Sequence, residues 1–168
     1  MTSIVSTLSV AQVRNLSATA ITNFTTEDIE ALSAQQIAAL SATQVAAIEV
    51  EDFEALSEEQ LGSFTAAAVK GLTVDQIAAL DVAKVDDLSK TQVAALSATQ
   101  IGAFSTDQLE ALTADQVTGL TAAQVATFDA TDITEFSTDE IAAISTKAIS
   151  GLTTDAVAAL STDQLGAL

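Results

Sequence analysis

Large apolar residues recur at every eighth position: Leu8, Leu16, Phe24, Leu32, Leu40, Ile48, and on without a break to Leu152, Leu160 and Leu168. A second apolar column of Val, Ile, Leu or Phe stands five places after each, as in Val13, Ile21, Ile29, Ile37, Val45 and Phe53. Ser or Thr usually follows the first column, and Gln is the commonest residue four places on. With each octad numbered to end on the first column, Ser/Thr is position 1, Gln position 4, Val/Ile position 5 and Leu position 8. The 168 residues divide into 21 octads, and such a fixed short period decides the architecture before any other feature is weighed.

The octad reads as one short helix with a specified start. The Ser41 hydroxyl is placed to accept from the Gln44 backbone N–H, while the Gln44 side chain reaches back to the Ser41 N–H, which is a capping box. Leu40, just before the cap, is placed to pack on Val45 as a hydrophobic staple. The same pairing recurs at Ser33/Gln36, Ser97/Gln100, Thr113/Gln116, Thr121/Gln124 and Ser161/Gln164. Each cap is worth about 1 kcal/mol, and first-turn acids such as Asp75, Asp107, Asp115 and Asp163 suit the positive end of a helix.

A cap in every octad implies a helix in every octad, of about five to seven residues, with Leu-Ser or Leu-Thr as the corner. One continuous helix would advance about 800° per octad, so its apolar stripe would slip by about 80° each time. In a strand, positions 5 and 8 would face opposite sides. The expected fold is therefore all-α: a solenoid or superhelix of very short capped helices, one per octad, with both apolar columns inside. One octad cannot fold alone. Two buried side chains yield about 1.5–3 kcal/mol each, against about 12 kcal/mol to order eight residues. Stacking of coil on coil must supply the rest. The small residues at Ala38-Ala39, Ala46-Ala47, Gly62, Gly71, Gly102 and Gly151 offer close approach between coils.

Residues 1–168 read as a single repeat domain, with 1–24 less regular: Ile4 and Ala20 take the Gln place. Residues 28–80 echo 108–160 at an offset of 80, as in Gly71-Leu72-Thr73 and Gly151-Leu152-Thr153, which reads as duplication. Phe24, Phe64 and Phe104 add a weaker spacing of 40.

Composition narrows the chemistry. The net charge is −18 and the only cations are Arg14, Lys70, Lys84, Lys90 and Lys147, so a nucleic-acid backbone is not an expected partner. No apolar run is long enough to span a bilayer, and the Met1–Val5 segment lacks the charge and hydropathy of a signal peptide. With no His and no Cys, Ser-His and Cys-His catalysis is ruled out, and the Ser and Thr residues are accounted for by capping. The absence of His, Cys and Tyr also leaves haem without its usual ligands. No enzyme and no resident cofactor are expected.

Two acidic stretches stand out and match at the offset of 80. Glu49, Glu51, Asp52 and Glu54 in the first, and Asp129, Asp132 and Glu135 in the second, are the candidate ligands of a hard cation, Ca²⁺ above all. The competing reading is a solvated face with acids enriched at helix starts. Neither an EF-hand loop nor the Gly/Asp nonapeptide of calcium-binding β-rolls is present. Asn15-Leu16-Ser17 and Asn23-Phe24-Thr25 fit the N-glycosylation pattern, a match that a Ser/Thr-rich period produces on its own.

The phrase Leu-Ser/Thr-x-x-Gln-Ile/Val-Ala-Ala-Leu, as in 32–40, 72–80 and 88–96, resembles octapeptide-repeat arrays of bacterial surface and secreted adhesin-like proteins. Some of these carry the label haem utilization or adhesion. The resemblance implies an extracellular, non-catalytic, acidic repeat protein. The final octad, 161–168, is close to an interior octad in sequence, so end-to-end association of the chain with itself is the expected partnership, giving a rod or filament. Two other readings stand beside it: an adhesin-type binding arm, with or without Ca²⁺ dependence, and a designed or consensus repeat protein.

Overall fold

A computed structural model of the chain describes residues 4–168; the first three residues of the 1–168 repeat domain, and with them most of the Met1–Val5 segment, lie outside the described residues. Among the described residues there are no strands. Every octad carries one helical element: seventeen α-helices and four 3₁₀ turns, the latter at Ile4–Thr7, Val69–Gly71, Val82–Lys84 and Ile149–Gly151. The α-helices are four to six residues long, somewhat shorter than the spacing alone predicts.

The corners explain the brevity. Position 1 is extended ahead of the α-helices, as at Ser33 (φ −71°, ψ 158°) and Thr113 (φ −76°, ψ 155°), and position 8 often is too, as at Phe64 (φ −60°, ψ 136°). Extended residues at these corners stop one helix and start the next at an angle to it, with no residue at positive φ among the described residues. All six predicted capping boxes are formed, at Ser33/Gln36, Ser41/Gln44, Ser97/Gln100, Thr113/Gln116, Thr121/Gln124 and Ser161/Gln164.

Consecutive helices form one continuous coil, and each helix stacks on the one three octads away: Val10–Arg14 on Ala34–Ile37, Ala34–Ile37 on Glu58–Ser63, and Thr138–Ala143 on Thr162–Ala167. The position-5 column lies inside, with Val13, Ile37, Val45, Ile77, Val93 and Ile133 fully buried. The position-8 column joins it, and a single apolar cluster runs from Val5 to Leu160. The Phe128 and Phe136 rings, 5.3 Å apart, pack within it. Among the described residues no helix is long and apolar enough to cross a membrane.

Candidate functional site at the turn-to-turn interface

The Gln of position 4 does more than cap. Ten glutamines are buried: Gln36, Gln44, Gln60, Gln76, Gln92, Gln100, Gln108, Gln116, Gln124 and Gln164. Burying so many carboxamides is costly unless each is satisfied. Gln76 shows how. Its oxygen accepts from the Thr73 N–H at 2.9 Å, and its nitrogen donates to the Val45 carbonyl at 3.0 Å and the Ile48 carbonyl at 2.7 Å. Those carbonyls belong to the preceding turn, 31 and 28 residues earlier. The same bonds recur from Gln36, which reaches Val5 and Leu8, to Gln164, which reaches Ile133 and Phe136. Each carboxamide thus fixes its own helix start with its acceptor and clamps the turn below with its donors. Since helices stack three octads apart and the clamp reaches four octads back, a turn of the superhelix closes between three and four octads.

Where position 4 is not Gln, the joint changes. Lys84 donates from Nζ to the carbonyls of Glu54 and Leu56, at 2.9 and 2.8 Å, so an ammonium serves the donor half of the clamp. Asp52 and Asp132 are too short to reach those carbonyls and have only acceptors to offer. Each accepts instead from a Thr hydroxyl on the preceding turn: Thr26 to Asp52 at 2.7 Å and Thr106 to Asp132 at 2.9 Å. Glu140 keeps the capping half alone, accepting from Ser137 N–H at 2.7 Å. In the octads 65–72 and 145–152, Ala68 and Ala148 offer nothing polar, and both are buried. There the neighbouring turns meet through glycine: a Cβ at Gly71 would fall on the Ala42 carbonyl, and one at Gly151 on the Ala122 carbonyl. The expected close approach therefore holds at Gly71 and Gly151. At Gly62 an added Cβ would make an ordinary contact, and at Gly166 none.

The calcium candidates are dispersed by these joints. Asp52 is buried against Thr26, Asp132 is bonded to Thr106, and Asp129 caps its helix by accepting from the N–H groups of Thr131 and Asp132. Glu49 precedes the Val50–Glu54 helix without capping it through its side chain, and Glu51, Glu54 and Glu135 are exposed. Among the described residues no three acidic side chains converge as a set that could hold a metal ion. One carboxylate outside these stretches is under strain: Asp87 Oδ2 is buried without a hydrogen-bond partner. Desolvation, with Glu58 and Asp86 nearby, pushes its pKa above the ordinary range, and Lys84 opposes this.

The end faces differ from the interior. On the first described turn Leu8, Leu16 and Phe24 are only partly buried, and the exposed Gln12 caps with its oxygen. On the last turn Val157 and Leu165 are 41% and 46% exposed, although their column is buried almost everywhere else. Position 5 is thus covered by the following turn and position 8 by the preceding one.

A continuous coil of capped short helices, clamped turn to turn and carrying one apolar core along its length, defines an all-helical superhelical repeat protein. The ALTTAQ repeat model matches three times, at residues 45–82, 85–122 and 133–168, which is about two-thirds of the chain. The chain belongs to the ALTTAQ repeat family. No curated protein matches it.

Proposed function

We propose that the chain is a non-catalytic structural element, an extracellular rod or self-assembling filament of a bacterial surface, built by stacking turn on turn. The resemblance to octapeptide arrays of surface proteins supports the location. The observation that carries the proposal is that one recurrent contact, the Gln clamp, joins each turn to the one before it. A second copy continuing the octad phase would set Gln12 over the carbonyls of Ile149 and Leu152, as Gln44 sits over those of Val13 and Leu16. It would also cover Val157 and Leu165 with the first turn of the next molecule. Further octads of a longer array would be joined by the same contacts.

The net charge of −18 opposes such stacking at low salt and opposes it less once ions screen the surface. Negative-stain electron microscopy with light scattering, across protein and salt concentration, tests this. End-to-end rods that lengthen with concentration and salt are expected, and Gln12→Glu with Leu165→Asp should abolish them. Particles of one length at every concentration would overturn self-assembly and leave a spacer. The same series with Ca²⁺ against Mg²⁺ tests the acidic stretches. With no converging carboxylates, the two ions should act alike, as screening charges.

A further inference from the structure

The position-4 donors are not spread evenly along the chain. In residues 81–128 every octad clamps the preceding turn, through Lys84, Gln92, Gln100, Gln108, Gln116 and Gln124. In the next four octads, 129–160, none does, since position 4 is Asp132, Glu140, Ala148 and Ala156. A turn closes within four octads, so one whole turn rests on its predecessor with no carboxamide clamp on any side. Missing clamps at Asp52 and Ala68 are isolated, with Gln44 and Gln60 flanking the first and Gln60 and Gln76 the second. Among the described residues one side-chain hydrogen bond crosses the unclamped seam, from Thr106 to Asp132 at 2.9 Å. The carbonyls of Leu109, Val117 and Val125 keep bonds from the N–H groups three residues on, but no described protein donor reaches those of Leu112, Leu120 and Phe128. Gln164 clamps the final octad to Ile133 and Phe136, so 161–168 travels with the turn above the seam.

We propose that this seam, between residues 97–128 and 129–160, is a built-in hinge about which residues 129–168 bend relative to the clamped body 81–128. Bending a superhelix opens one side of a turn-to-turn joint. At a clamped joint this stretches directional hydrogen bonds, such as those of Gln108 to Ile77 and Leu80, which weaken steeply with distance and angle. At the seam mainly the close contact of small residues resists, as between Gly151 and Ala122 and around the buried Ala148 and Ala156. Opening there also lets water reach the Leu112, Leu120 and Phe128 carbonyls, which offsets part of the lost packing. An open cleft between residues 126–131 and Thr153 and Asp155 lies along the same seam. The hinge belongs to the single chain and does not depend on self-assembly.

Pulsed electron paramagnetic resonance between paired nitroxide labels tests this on the 168-residue chain. The sequence has no Cys, so introduced cysteines carry the only labels. Ala78→Cys with Ala126→Cys spans clamped joints, and Glu110→Cys with Ala158→Cys spans the seam. Both pairs use exposed position-6 residues at the same separation in sequence. The seam pair should give a distance distribution about twofold wider or more. Asp132→Gln with Glu140→Gln, which supplies two adjacent clamps, should narrow it towards the clamped pair. Gln108→Ala with Gln116→Ala should widen the clamped pair, and circular dichroism checks that each variant is folded. Equal widths in the two parent pairs would overturn the hinge. So would a seam width unmoved by the two added glutamines, or a clamped width unmoved by the two alanines, in folded chains.

Discussion

Residues 65–72 and 73–80 are adjacent octads that join the preceding turn in opposite ways. The second uses a polar clamp, with Gln76 buried and bonded to Thr73, Val45 and Ile48. The first uses none: Ala68 replaces the Gln, Gly71 removes the Cβ that would strike Ala42, and the helix tightens to the 3₁₀ turn Val69–Gly71. Residues 145–152 repeat the first solution with Ala148 and Gly151. In these two octads Ala and Gly occur together, whereas Gln116 and Gly119 combine a clamp with a glycine. The octad 153–160 loses its Gln without the Gly, keeps its α-helix and buries Ala156. The joint between turns therefore varies at positions 4 and 7, whereas the core columns hardly vary.

The largest effect should come from forcing the glycine joint apart. Gly71→Val places side-chain carbons on the Ala42 backbone and should cost about 3 kcal/mol, upwards of 6 °C in melting temperature. A change below 1 °C in thermal denaturation would show that the turns do not meet there. Breaking the polar joint comes next. Gln76→Ala removes three hydrogen bonds and strands the Ile48 carbonyl, while the Val45 carbonyl keeps its bond from the Ile48 N–H, costing about 2–3 kcal/mol. A second change, Ala79→Gly, should recover part of this if positions 4 and 7 work as a pair, and a double-mutant cycle reads the coupling.

A smaller loss, about 1 kcal/mol, is expected for Lys84→Met, which keeps the stem and removes the donor to Glu54 and Leu56. Lys84→Gln should restore the standard clamp and leave chemical denaturation unchanged. The smallest effect is a gain. The folded state holds a proton on Asp87 more tightly than the unfolded chain does, so ionising Asp87 costs stability. This penalty grows as pH rises through the folded pKa and is relieved as pH falls towards the unfolded value. Asp87→Asn should stabilise at pH 7 by less than about 1 kcal/mol, because the group is largely screened, and should flatten that part of the pH profile. Equal stability of the two proteins from pH 4 to 8 would contradict the sign.

The local half of this structure was legible in the sequence, and the non-local half was not. Ser41 and Gln44 announce a helix start because both partners of the capping box lie within one turn. The two apolar columns announce a core because their period fits only a chain of short helices. Nothing in the octad says that Gln44 also reaches Val13 and Leu16, because those partners lie 31 and 28 residues away and depend on how many octads make a turn. The same gap hid the roles of Lys84, Asp52 and Asp132, which in sequence are a stray cation and two acids. One signal was available: Gln recurs at position 4 more strictly than capping alone requires, since Asp, Glu and Ser cap as well.

The central claim is that buried carboxamides hold the turns together, and hydrogen–deuterium exchange of the Gln side-chain amides tests it directly by NMR. The chain has twelve glutamines, of which ten are buried and clamped. The account predicts ten slowly exchanging NH₂ pairs, with Gln12 and Gln35 exchanging as fast as a free glutamine side chain. Exchange of all twelve at the free rate, in a chain that is still helical, would contradict it.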